Sequence, residues 1–166
     1  FWVVLIAGII LRLILAAVTY HSDIQAFDFA GSVLASGKIL DFYDYLPSLP
    51  QNSEILKYYS ASIFNYPPLV YFLFFILNGV GSIGKDQNFY QLFLFNVPQV
   101  LGTLELNFHL MLLKIPYLFF DIPIALMIMK MLDKRKLLVF ILWIFNPVNL
   151  YATYMMGQFD LIPAFF

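Results

Sequence analysis

Four acidic side chains and one lysine stand where this chain could do chemistry. Asp23 follows an apolar run by only a few residues, which puts a carboxylate where membrane meets water. Partial desolvation there makes a carboxylate a stronger proton acceptor, the property a general base needs. The bland alternative is an N-cap that accepts bonds from the first helical turn. Asp28 lies about 140° further around a helix axis, so the two cannot face one site, and Asp28 reads as the solvated face of the same helix. Lys114 and Asp121 share an apolar run, on nearly the same helix face and about 10 Å apart along its axis. Charges in hydrocarbon are costly and usually face a polar cavity or one another, which makes both functional candidates. Alternatively, Lys114 snorkels to the interface and Asp121 bonds a neighbouring helix. Arg12 also needs a partner, which its spacing does not name. Gly157-Gln158-Phe159-Asp160 closes a later apolar run. With Asp160 and Asp23 on one side of a membrane and a lysine nearby, the set suits a polar substrate carried on a lipid.

Residue types exclude other chemistries. With no cysteine, a disulfide framework, thiol catalysis and a thiolate-ligated metal are ruled out. His21 and His109 occur without an HExxH pattern or a nearby carboxylate cluster, so no metal site or metal cofactor is expected. There is no glycine-rich phosphate loop and no GxSxG elbow. Nine basic and ten acidic residues, net charge −1, leave no basic surface for nucleic acid.

The elements that must position these residues are apolar. Of 166 residues 62% are hydrophobic and 11% charged, with a mean hydropathy of +0.83, against about 45–50% apolar and about 25% charged in soluble domains. The chain therefore reads as an all-α, multi-pass integral membrane protein. Spans are expected at about 1–19, 110–132 and 137–156, each near the ~20 residues a crossing needs. A secretory signal at the start is the competing reading, but no A-x-A cleavage pattern follows. The last span should bend at Asn146-Pro147. The loop 20–65 is hydrophilic, with five acidic residues against Lys38 and Lys57. It opens with an amphipathic surface helix, capped by Ser22 or Asp23, ended at Gly37, and marked by Ile24, Phe27, Gly31 and Leu34. The apolar run 66–77 is about 18 Å long as a helix, too short to cross, and reads with its tail to residue 84 as interfacial or re-entrant. Tyr20, Tyr66, Tyr151 and Tyr154 fit an interfacial aromatic belt. Lys130 and Asp133-Lys134-Arg135-Lys136 gather four of the nine basic residues at one turn. Short basic loops stay cytoplasmic, so Asp23, His109 and Asp160 fall outside. The competing topology makes 66–84 a true span, and either puts the basic turn outside or inverts the first span. Phe1 is not a methionine and Phe166 falls in an apolar run, so the chain reads as a fragment, inactive alone.

The order of His21-Ser22-Asp23-Ile24, Asn65-Tyr66-Pro67-Pro68-Leu69, Lys114 with Asp121, Trp143-Ile144-Phe145-Asn146-Pro147 and Gly157-Gln158-Phe159-Asp160 resembles that of the GT-C membrane glycosyltransferases. It is most similar to the polyprenyl-phosphate-mannose-dependent mannosyltransferases. No motif is specific by itself; order and spacing carry the likeness, over nearly the whole chain. The resemblance implies the N-terminal part of a single transmembrane domain with juxtamembrane helices. It implies inverting transfer of a hexose, mannose by family likeness, from a polyprenyl-phosphate donor to a hydroxyl of a glycan, lipid or protein, at the extracytoplasmic or lumenal face. The membrane would be a prokaryotic plasma membrane or the endoplasmic reticulum. Asp23 matches the family's catalytic base. Asp28, Tyr66, Lys114, Asp121, Gln158 and Asp160 are the implied substrate-binding residues, with Lys114 nearest the donor phosphate. The spacing of Asp23 and Asp28 does not reproduce the paired acidic motif of some relatives. A transporter or lipid flippase using Lys114 and Asp121 as an intramembrane pair is the alternative.

Overall fold

The computed structural model describes residues 1–81, 86–131 and 134–166. Among the described residues all regular structure is helical: α1 (Trp2–Val18), α2 (Ser22–Ala35), α3 (Phe42–Tyr45), α4 (Pro68–Gly81), α5 (Gln87–Phe95), α6 (Leu104–Lys114), α7 (Leu118–Met131), α8 (Lys136–Ile144), α9 (Pro147–Asn149) and α10 (Leu161–Phe165). A 3-10 turn, Ile115–Tyr117, joins α6 to α7, and a π-helix, Leu150–Met155, follows α9.

Two helical runs are long and apolar enough to cross a membrane, Leu104–Met131 with 28 residues and Lys136–Met155 with 20. Trp2–Val18, at 17 residues, reaches that length only together with Ser22–Ala35, as a bent pair. The span expected from residue 110 starts earlier, because the Thr103 side chain accepts from the Leu106 N–H and caps the helix ahead of its apolar stretch. The short helix expected at 66–84 is observed as α4. The tail of that segment at 82–84, the last residue of the span 110–132 and Asp133 lie outside the described residues.

The chain forms two compact units, one from Phe1–Ile24 with Gly102–Phe166 and one from Gln25–Leu101. In the first, α1 packs on α6, α8 and the π-helix, and α7 packs on α8 and α10. Gly8, Arg12 and Ala16, one turn apart, form the buried line of α1, while Ile6, Ile10, Ile14 and Val18 are exposed.

The second unit is built on α2 and its aromatic neighbours. Phe29 stacks on Tyr59 at 3.9 Å and Phe42 on Phe64 at 4.3 Å between ring centroids. α2 buries its apolar side and one polar residue, while Ser22 and Ala35 are exposed and Asp23, Gln25, Ala26 and Ser32 are half-buried. Ile24, Phe27, Phe29, Ala30, Val33 and Leu34 are buried, and so is Asp28. The expected solvated position of Asp28 is corrected by its partner: Asn78 of α4 donates to its carboxylate at 3.0 Å. That amide also donates to the Tyr90 hydroxyl at 2.7 Å. Burial, and then the nearby Asp28 charge, push the Tyr90 hydroxyl well above its ordinary pKa, so it stays protonated. Gln25 turns its amide to the carbonyls of Phe93 and Leu94 at the end of α5, at 2.9 and 2.8 Å. Buried Asp28 and half-buried Gln25 are thus both held by hydrogen bonds, which is the condition for enclosing a polar group at all.

Candidate functional site

Of the residues that could do chemistry, Asp23, Lys114 and Gln158 gather in the first unit around the end of α1 and the end of the π-helix. α1 stops at Val18, and Thr19 doubles back by donating its hydroxyl to the carbonyls of Leu15 and Tyr154. Three residues of linker lead into α2. The first-turn N–H of Asp23 donates to His21 Nδ1 at 3.2 Å. The cap expected at Ser22 or Asp23 is thus supplied by His21, which leaves the Asp23 carboxylate to face elsewhere.

It faces Gln158. The Gln158 side-chain amide donates to Asp23 Oδ2, while Asp23 Oδ1 lies 3.5 Å from His21 Nδ1. The Asp23 and His21 side chains are 36% and 34% exposed, so the carboxylate is held yet open to solvent. Local backbone chemistry delivers Gln158. The π-helix ends with the Met156 N–H on the Tyr151 carbonyl, and the Gln158 N–H closes on the Ala152 carbonyl at 2.9 Å. Gly157 between them has φ +80°, a left-handed turn that L side chains avoid. A Cβ there would also sit 3.0 Å from the Ile24 side chain, which would have to give way by a few tenths of an ångström. The Gly157 carbonyl accepts from Tyr117 at 2.8 Å, tying the turn to the 3-10 turn after α6.

Lys114 is fully buried and reaches no carboxylate. Its ammonium donates to Thr19 O at 2.7 Å, Tyr154 O at 3.0 Å, Ala16 O and Met155 O at 3.3 Å, and Thr19 Oγ1 at 3.4 Å. Three N–H donors face five oxygens, so none remains for a phosphate in this arrangement. Lys114 therefore neither snorkels nor pairs with Asp121.

Asp121 belongs to a separate buried cluster. Arg12 Nε donates to Asp121 Oδ2 at 2.6 Å, and Tyr154 OH to the same oxygen at 3.0 Å. Trp143 Nε1 and Asn149 Nδ2 donate to Oδ1 at 2.7 and 2.9 Å. Arg12 also donates to Ile144 O at 2.7 Å and Gly8 O at 3.1 Å, and its guanidinium lies 5.3 Å from the centre of the Tyr154 ring. Tyr154 is therefore a core residue and not part of an interfacial belt. Trp143 joins this carboxylate, and Asn146 recaps the chain after Phe145 by accepting from the N–H groups of Val148 and Asn149.

Of the remaining candidates, Asp160 is exposed at the start of α10. Asp28 and Tyr66 belong to the second unit. There Tyr66 meets Phe27 edge-on at 5.5 Å, accepts on its carbonyl from Tyr43 and donates its N–H to Tyr71 OH. Sequence reasoning missed His21, Tyr117, Asn149 and the partner of Arg12. Only the last had a signal: Asp121 is the one acidic residue in the three apolar runs. Among the described residues no cluster of three or more histidine or carboxylate side chains could hold a metal ion. Comparison with known proteins finds no matching family model, no matching curated protein and no matching solved structure.

Proposed function

We propose that the chain is the catalytic part of a multi-pass membrane glycosyltransferase, which moves a hexose from a polyprenyl-phosphate donor to an acceptor hydroxyl with inversion. One observation carries the reading: the Asp23 carboxylate, half open to solvent, is held by Gln158 from the Gly157-Gln158-Phe159-Asp160 motif. The two motifs whose order resembles the GT-C enzymes thus meet at one carboxylate.

In the reaction Asp23 takes the proton of the acceptor hydroxyl while the oxygen attacks the anomeric carbon. The bond from that carbon to the phosphate oxygen breaks, and its electron pair leaves with the polyprenyl phosphate. The Gln158 amide orients the carboxylate, and Oδ1 is the atom that accepts the proton. Asp160, two residues further on and exposed, is available to the sugar or the acceptor. The site faces the side opposite the basic turn at Lys130 and Lys134–Lys136, the extracytoplasmic or lumenal side.

The test is Asp23→Asn in the intact protein, assayed in membranes with a labelled polyprenyl-phosphate hexose. Loss of the general base should lower transfer by about 10²–10⁴-fold at unchanged protein level. Near-normal transfer would remove Asp23 as the base.

A further inference from the structure

Two helical ends converge on one buried cation. The last carbonyls of a helix have no intrahelical partner and carry the negative end of its dipole. At the end of α1 the Leu15 carbonyl is taken by Thr19, and at the end of the π-helix the carbonyls of Tyr151 and Ala152 are taken by Met156 and Gln158. The carbonyls of Ala16, Thr19, Tyr154 and Met155 all turn to Lys114 Nζ. Without the ammonium, four carbonyl dipoles would face one another at a site where Lys114 itself has no exposed surface. Asp23 lies four residues beyond Thr19, and Gln158 three beyond Met155. The joint that Lys114 closes is therefore only three to four residues along the chain from each partner of that contact.

We propose that Lys114 is a positioning residue, an internal cation that ties the end of α1 to the end of the π-helix and so keeps Asp23 against Gln158. Its donors are spent on the protein and do not bind the substrate phosphate. The activity arm of the test rests on the reading of Asp23 as the base; the structural arm does not.

These 166 residues contain no cysteine, so Asp23→Cys with Gln158→Cys, in a background with any cysteine elsewhere in the protein replaced by serine, places the only thiols at the contact. In the intact protein in membranes, a short bis-thiol reagent should cross-link the pair when Lys114 is present. The cross-link should be largely lost with Lys114→Met or Lys114→Ala. n-Propylamine replaces the atoms that Lys114→Ala removes, and it should restore the link in that variant but not in Lys114→Met. With Asp23 and Gln158 native, Lys114→Met should lower kcat by about a hundredfold, as expected of a misplaced catalytic group, and leave the donor KM unchanged. An undiminished cross-link in both variants overturns the proposal. So does a raised donor KM at unchanged kcat, which would make Lys114 a phosphate ligand. Loss of the link without amine recovery overturns it as well, since that marks general loosening. If neither variant accumulates, recovery of folded Lys114→Ala protein only with propylamine supports the proposal, and failure to recover it with the amine overturns it. Should Asp23→Asn retain transfer, the catalytic reading falls while the cross-link still decides the role of Lys114.

Discussion

Asp121 collects four donors, from Arg12, Trp143, Asn149 and Tyr154. A buried pair of charges gains little over an apolar pair of the same volume, but removing one partner strands the other without water. Arg12→Leu should therefore cost about 3–5 kcal/mol, measured as a loss of unfolding stability in detergent. Arg12→Leu with Asp121→Leu should cost less than the sum of the single changes, because the two are coupled. That Lys114 and Asp121 needed polar surroundings was legible from their place in an apolar run. Their partners were not, because spacing within one helix speaks only of neighbours on that helix. Arg12 and Asp121 are 109 positions apart, and Lys114 spends its charge on backbone oxygens that every sequence offers equally. The same limit hid Tyr154, whose type and position fit a belt until its hydroxyl is seen on Asp121.

Among the elements, the two apolar runs near the end of the chain, the short α4 and the helix after Asp23 were all readable from apolar spacing and length. The π-helix was not, since no residue preference marks it; it is visible only in which carbonyl each N–H meets, and such segments often occur at functional sites. α2 was half legible. Its apolar residues mark one face, but on the other Asp28 is buried and Gln25 half-buried because α4 and α5 supply donors and acceptors. The closeness of that packing appears at Gly31, where a Cβ would lie 2.6 Å from the Phe74 carbonyl oxygen, a backbone atom with no freedom to yield. Gly31→Ala should destabilise the second unit by about 1–3 kcal/mol. Gly79→Ala, where a Cβ would meet nothing within 4 Å, should be neutral or stabilising by up to about 1 kcal/mol. Amide hydrogen exchange of α2 and α4 in the two variants reads the difference, and equal effects would remove the close crossing as the cause.

At the level of the molecule, composition alone marked the chain as apolar enough for a membrane, and two helical runs meet the length a crossing needs. The orientation is a prediction from the basic turn: a thiol placed at Arg135 should react from the cytoplasmic side and one at Asp160 from the other. Labelling in the opposite sense would reverse the assignment of the site's side. The division into two units could not be read from the sequence, because one unit is assembled from both ends of the chain and no change of composition marks the joins.

That assembly sets an order in time. Arg12 emerges from the ribosome 109 residues before Asp121. At roughly 5–20 residues per second, it waits about 5–20 s for its counter-charge. On the reading of α1 as a span, it carries an uncompensated arginine during that interval, which costs about 2.5–3.5 kcal/mol at the centre of an inserting helix. α1 is therefore expected to settle only after the segment containing Asp121 has been made. A nascent chain arrested before residue 121 should hold α1 less securely in the membrane than one arrested after it.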